Sequence, residues 1–402
     1  MSTPAAPTPP SAWWSLTVTT AIQAMVSMAL LTLPAMAPAV ARALAVPSTL
    51  VGAYVALCYF AAMLSSLVGG TLVRRLGAIR VSQLGLGLCA VGLALCALPW
   101  LPAVALGALC IGAGYGPITP ASSHLLALTT PAHRMSLVFS IKQTGVPAGG
   151  MLAGALVPGL SLWLGWQGTL LAVAGVCALC AALAQPLRAA LDADRQPAQP
   201  LALQALFKPI GMVLGQPSLR ALAACSFLFS AVQVSTTAYM VTYLNESLGM
   251  TLLAAGAALS VSQLAGVVGR IAWGAVADRG LGPRNTLMLL ATLMMAGSVL
   301  TALLQPQWPT LLGASAIGWN GVYLATVARQ APPGQAGVAT GGTLLFTFMG
   351  VVCGSPAFGA LAGASGSYRI AFAALALPAA LALGLLVWRA AQARREAAAP
   401  KP

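Results

Sequence analysis

From Ala43 to Val73 the chain runs 31 residues without a charged side chain, and from Ser247 to Gly269 it runs another 23. The charge-free intervals 81–132, 143–187, 285–328 and 330–368 are each long enough for two bilayer crossings. One crossing takes roughly 20 apolar residues of helix at about 1.5 Å per residue. These runs are continuous, unlike the alternating pattern of barrel strands, so they predict helices. Only 6% of the 402 residues are charged and 59% are hydrophobic, where a soluble domain carries roughly a quarter charged. Such a chain cannot clothe a water-facing surface. An all-α membrane protein is the fold class this implies.

Turn residues and charges place twelve spans near 14–38, 49–72, 80–99, 103–128, 136–159, 164–185, 219–244, 252–276, 285–304, 310–328, 338–363 and 369–389. The Pro-rich segment 186–217, with Asp192, Asp194 and Arg195, is the one long polar connection and reads as a linker with one surface helix. It divides the chain into an N-terminal six-helix half, 1–185, and a C-terminal half, 218–402. Of 19 Lys and Arg, 15 fall on the side that holds both termini, including Arg134, Lys208, Arg394 and Lys401, and only Arg42 and Arg369 on the other. This bias predicts cytoplasmic termini for a multi-pass protein of the cell (inner) membrane. The net charge of +14 is therefore an orientation signal, and no nucleic-acid partner is expected. Trp13, Trp14, Trp100, Trp163, Trp166, Trp308 and Trp388 sit near span ends, as interfacial aromatics do. No Lys or Arg precedes Arg42, so the first apolar segment is read as a retained helix.

The two halves repeat one another. Pro147–Gly154 (PAGGMLAG) matches Pro356–Gly363 (PAFGALAG) at an offset of 209. Gly70-x-x-x-Arg74-Arg75-x-x-x-x-Arg80 matches Gly274-x-x-x-Asp278-Arg279-x-x-x-x-Arg284 at an offset of 204. Trp166 and Tyr368, each opening the last span of its half, are 202 apart. Parallel repeats of this kind place a substrate path between the halves.

The segment Gly274-Ala-Val-Ala-Asp278-Arg279-Gly-Leu-Gly-Pro-Arg284 resembles the loop signature of the major facilitator superfamily, approximately G-x-x-x-D-R-x-G-x-R. With twelve spans and a central loop, the resemblance covers essentially the whole chain. It implies a secondary transporter that moves a small-molecule substrate by alternating access, is not an enzyme, and acts as a monomer with a proton as the candidate coupling ion. It also implies gating by Gly70, Arg75, Gly274, Asp278 and Arg279, the carboxylate latching the cytoplasmic side to a neighbouring helix. The first-half copy departs from the pattern, with Arg74 where the family has Asp. Gly145-Val-Pro147-Ala-Gly149-Gly150 loosely resembles the family's fifth-helix motif; its small residues are read first as permitting close helix approach.

Ionisable residues inside spans are the default functional candidates, because burial of charge is costly. Lys142 in span five and Arg270 in span eight each lie about six residues, or roughly 9 Å, from the cytoplasmic boundary. His124 falls at a depth similar to that of Lys142. The five acids are Asp192, Asp194, Glu246, Asp278 and Glu396, none of them mid-span. A cationic substrate would lack its counter-ion; an anion would find two bases, and Arg270 suits a carboxylate held in a bidentate fork. Gly269-Arg270-Ile-Ala-Trp273-Gly274 also resembles the eighth helix of the oxalate and monocarboxylate branches, which implies anion binding for Arg270. The expected binding residues are Lys142, Arg270, His124, Gln143, Asn320 and Tyr323, with Gln23 and Gln233 weaker. The bland reading of Arg270 is that it snorkels and joins a network with Asp278. A small organic anion such as a carboxylate is the leading substrate class, and export of neutral or hydrophobic compounds is the alternative. Eight cysteines lie in apolar runs, and Cys177-x-x-Cys180 has no partner pair, so neither metal nor cofactor is expected. Gly112-x-Gly114-x-Gly116 follows no strand, and the absence of a Gly-Lys-Ser/Thr motif argues against ATP-driven pumping within this chain.

Overall fold

The computed structural model describes residues 12–131, 135–198, 208–303, 309–332 and 336–398; Arg134, Trp308 and Lys401 lie outside them. The helices in chain order are α1 (Ala12–Ala35), α2 (Ala37–Ala43), α3 (Val51–Leu76), α4 (Ala78–Cys96), α5 (Leu101–Tyr115), α6 (Ile118–Thr129), α7 (Met135–Gln143), α8 (Gly145–Leu183) and α9 (Arg188–Leu191). There follow α10 (Lys208–Gly215), α11 (Pro217–Thr242), α12 (Leu252–Val276), α13 (Gly282–Leu303), α14 (Pro309–Gly318), α15 (Asn320–Gln330), α16 (Ala336–Ser365), α17 (Tyr368–Ala374) and α18 (Ala376–Ala398). Among the described residues, 9 continuous stretches are long and apolar enough to cross a bilayer. Two of them, Ile141–Leu191 and Leu252–Leu303, have 51 and 52 residues and so cross and return. The broken pair α14 and α15 supplies the remaining crossing, which makes twelve.

The turns follow from glycine. Gly77 (φ 97°) separates α3 from α4, and Gly282 (φ 74°) opens α13 at the corresponding place in the second half. Gly165 (φ 68°) divides α8 into two crossings, and Gly366 (φ 62°) precedes α17 at its counterpart. Left-handed dihedrals of this kind cost an L side chain roughly 1–2 kcal/mol. Breaks also recur: α5 gives way to α6 at Gly116-Pro117, and α14 to α15 at Trp319. The linker carries two short helices, α9 and α10, where the sequence suggested one; Val213 of α10 is fully buried.

Small residues let α8 and α12 touch. A Cβ on Gly154 of α8 would lie 2.6 Å from the Gly256 carbonyl of α12, and one on Gly150 would lie 2.7 Å from Gln263. α3 packs against α16 in the same manner. The outside of the bundle bears apolar side chains, with Trp13, Trp14, Trp100 and Trp388 exposed and Trp163 89% exposed.

Candidate substrate site

α12 lies close against α14 because glycines line their contact. A Cβ on Gly266 would meet Ile317 at 2.5 Å, and one on Gly269 would meet the Ala314 carbonyl at 2.6 Å. The Trp273 indole donates to that same carbonyl at 3.1 Å. This approach carries Arg270 to the end of α14, where its Nε donates to the Ile317 carbonyl at 3.1 Å. Its Nη1 donates to the Gln143 carbonyl, at the end of α7. The last four carbonyls of a helix have no intrahelical partner and carry the negative end of its dipole. Arg270 therefore ties together two broken helices, one from each half.

Lys142 sits in the last turn of α7 and is 1% exposed; Arg270 is 8% exposed. Lys142 is the chain neighbour of Gln143, whose carbonyl Arg270 holds, and Tyr59 and Tyr115 lie within the electrostatic reach of the guanidinium. The Lys142 Nζ is buried without a hydrogen-bond acceptor among the described residues. The described ion pairs are His124–Asp194, Arg188–Asp192 and Arg329–Asp278, so among the described residues neither Lys142 nor Arg270 has a carboxylate partner. The two tyrosines belong to an aromatic group: the rings of Tyr59 and Tyr115 are 5.8 Å apart, and those of Tyr59 and Phe348 5.9 Å.

The other expected binding residues are placed as follows. Gln143 contributes its carbonyl to Arg270. Asn320 donates to the Gln233 Oε1 at 3.2 Å, which also accepts from the Trp319 indole at 2.9 Å. Tyr323 is 1% exposed and packs its ring 5.1 Å from Trp319. Gln23 is buried and accepts from Thr119 at 3.4 Å. His124 turns to the linker: its Nε2 meets the Asp194 carboxylate at 2.6 Å, where both side chains are partly exposed. The open bidentate fork expected of Arg270 is also modified, because Nε and Nη1 already bind carbonyls. Tyr59, Tyr115 and Phe348 carried no signal in the sequence beyond being aromatic in apolar spans.

Of the gating residues, Asp278 accepts from Arg329 at 2.9 Å, joining the end of α12 to α15, with both side chains exposed. Arg270 does not join that pair among the described contacts. Arg75 and Arg279 are exposed, and a Cβ at Gly70 or Gly274 would meet nothing within 4 Å. In the first half, where Arg74 stands in the motif, a linker carboxylate lies at the turn that follows. Asp192 accepts from the backbone N–H of Ile79 at 2.8 Å and of Arg80 at 3.0 Å. The Gln196 N–H donates to the Arg74 carbonyl at 2.7 Å. Burial raises the Asp192 carboxyl above its ordinary value, against the pull of those two N–H groups and Arg188.

At the opposite face the halves are bonded together. Ser48 donates to Glu246 at 2.7 Å and lies 2.9 Å from the Tyr368 hydroxyl. Tyr239 donates to the Thr49 carbonyl at 2.7 Å. Two apolar pockets lie elsewhere, about 220 Å³ between α1, α2, α3 and α5 and about 330 Å³ between α10, α11 and α16; neither includes Lys142 or Arg270.

The described helices form a bundle of bilayer crossings, with breaks at the helix ends that Arg270 bonds. The family model of the Major Facilitator Superfamily matches residues 16–348, and the chain belongs to that superfamily. An uncharacterized MFS-type transporter of Mycobacterium tuberculosis is 29% identical over 262 residues, 62% of this chain. The chain spans 56% of the length of that relative. A bacterial homologue of the human lysosomal transporter Spinster, solved inward-facing and unoccupied, has the same fold with a TM-score of 0.74 at 14% identity, covering 94% of this chain and 96% of the other. A nucleoside transporter matches with a TM-score of 0.74 at 16% identity, over 92% and 99%. A transporter of the POT family, in complex with a thioalcohol-conjugated peptide, gives 0.74 at 14% identity over 94% and 96%. The chain is a multi-pass membrane protein of that superfamily.

Proposed function

We propose that this transporter carries a small organic anion, such as a carboxylate, through a site formed by Lys142 and Arg270. The observation that carries the reading is the Lys142 ammonium, buried without an acceptor beside a second cation and away from every described carboxylate. Two like charges in a poorly solvated place are costly until an anion lies between them. The Arg270 side chain is fixed by two carbonyls, so it meets the anion preorganised. The rings of Tyr59, Tyr115 and Phe348 offer an apolar contact to the rest of the substrate.

In this reading the halves 1–185 and 218–402 rock about the site, joined by the linker 186–217. The bonds from Ser48 and Thr49 to Glu246, Tyr368 and Tyr239 close the outer side, and the open space at Gly70 and Gly274 belongs to a cytoplasmic entrance. Both termini are cytoplasmic and the protein lies in the cell (inner) membrane, as the Lys and Arg distribution supports. Purified protein is expected to gain thermal stability with lactate, succinate or benzoate, because a ligand that binds only the folded state stabilises it. Stabilisation by neutral or cationic drugs, with none from carboxylates, would favour the exporter reading instead.

A further inference from the structure

We propose that the pocket between α10, α11 and α16 holds an anionic phospholipid of the cytoplasmic leaflet, with an acyl chain inside it and the phosphate on Arg220. The inference goes beyond the substrate reading above and uses neither Lys142 nor Arg270; the leaflet follows from the orientation that the Lys and Arg bias supports. α11 turns Arg220, Ala223, Ala224, Phe227 and Leu228 to the pocket, the i, i+3, i+4, i+7, i+8 stripe of one helix face. Phe346 of α16 and Val213 of α10 complete the wall. Of these residues only Arg220 is polar, and it lies in the first turn of α11, at the end of that crossing.

The pocket is built into the fold. α10 seats on α16: a Cβ on Gly342 would lie 2.8 Å from Val213, which is fully buried. The Gln216 side-chain amide donates to the Gln330 carbonyl at 3.0 Å and fixes the corner between α10 and α11 against the end of α15. One turn deeper than Phe227, Ser230 donates to the Thr347 carbonyl at 2.7 Å and draws α11 against α16. The space that remains measures about 330 Å³. Pockets that take small ligands hold about 300–1,000 Å³ and are mostly apolar with a few placed polar groups.

The medium and the charge decide the occupant. Leu214 of α10 is 48% exposed and Ala224 is exposed at the pocket, where α11 enters the bilayer, so lipid reaches the mouth. An acyl chain restores the dispersion contacts that an empty apolar space forfeits. Among the described residues no carboxylate pairs with Arg220. Its stem can lie along the apolar wall with the guanidinium at headgroup level, where it suits a phosphate held by two hydrogen bonds. The other pocket, about 220 Å³ between α1, α2, α3 and α5, has no charged residue in its lining and so no means of selecting an anionic headgroup.

Native mass spectrometry of the full chain tests this by counting bound lipids. Purified wild-type protein is titrated with phosphatidylglycerol and, separately, with phosphatidylcholine of the same acyl chains. The first phosphatidylglycerol is expected to bind about fivefold more tightly than the first phosphatidylcholine, the increment one Arg supplies at an anionic headgroup. Arg220→Gln is expected to erase that preference, and Arg42→Gln, at the opposite face, to keep it. Ala224→Phe, which fills the pocket from an exposed position, is expected to abolish the preference while Arg220 is still present. Equal affinity of the two lipids for the wild type overturns the inference, as does a preference that survives either Arg220→Gln or Ala224→Phe. A dimer in the wild-type spectrum that Ala224→Phe dissolves assigns the pocket to a second copy of the chain and overturns it as well. Each of these results leaves the substrate site at Lys142 and Arg270 untouched.

Discussion

Removing the Asp192 carboxylate is expected to unfasten the linker from the first-half turn, and the geometry sets the size of the effect. α4 begins after Gly77, which has no side chain to cap the helix. Asp192 fills that role from 113 residues away, one oxygen accepting from Ile79 and the other from Arg80. Truncating a helix cap costs about 1 kcal/mol, within a range of roughly 0.5–2. At RT of about 0.59 kcal/mol, 1 kcal/mol is about a fivefold change in a local opening equilibrium. In Asp192→Ala the amides of Ile79 and Arg80 should therefore exchange with deuterium about five times faster, by native-state exchange in detergent or nanodiscs. Asp192→Asn keeps an acceptor oxygen and has no charge to desolvate, so it should stay within about twofold of wild type, Asn and Asp being comparable caps. Unchanged protection of Ile79 and Arg80 in Asp192→Ala would refute the clamp.

Further expectations follow from the same geometry. Gly77→Ala places a Cβ within contact distance of the Asp192 carboxyl and forces an L side chain to φ 97°, so it should destabilise by about 2 kcal/mol or more, read as a lowered melting temperature. Because burial raises the Asp192 carboxyl, the folded protein holds that proton more tightly than the unfolded chain does. Its contribution is complete below the ordinary value of about 3.9 and declines as pH climbs through the raised one. Wild type should accordingly lose melting temperature relative to Asp192→Asn as pH rises across that window. Tyr239→Phe removes the hydroxyl bonded to Thr49 and should weaken the outer closure by about 0.5–1.5 kcal/mol, seen as longer spin-label distances between the outer ends of α3 and α16. Neutralising Asp278 or Arg329 should change stability by less than about 1 kcal/mol, because both side chains are exposed.

The crossings were legible because one solvent dictates them: turn residues and charges together placed α12 at 252–276, where the structure has it. The broken helices were not. Span four splits at Gly116-Pro117, span five at Thr144 and span ten at Trp319, and only the first break carries a proline. Those interruptions expose the carbonyls of Gln143 and Ile317 to Arg270, so the detailed geometry of the site lay beyond the sequence. Lys142 and Arg270 themselves stood out, since a lone charge in an apolar run has few neutral explanations. Asp192 and Asp194 looked like ordinary linker acids. A carboxylate bonded to backbone 113 residues away leaves no periodic trace, and neither does a histidine turned toward the linker. Tyr59 and Phe348 were hidden for the opposite reason, since aromatic side chains are unremarkable in a bilayer-spanning helix.

Uptake in proteoliposomes tests the anion site most directly. The carboxylate that stabilises the purified protein is supplied outside vesicles bearing wild-type protein, Lys142→Gln or Arg270→Gln, with Trp163→Phe, on the exposed outer surface, as a control outside the site. The account predicts saturable uptake by wild type and the control, and its loss in Lys142→Gln. Saturation kinetics for Lys142→Gln that match the wild type would contradict it.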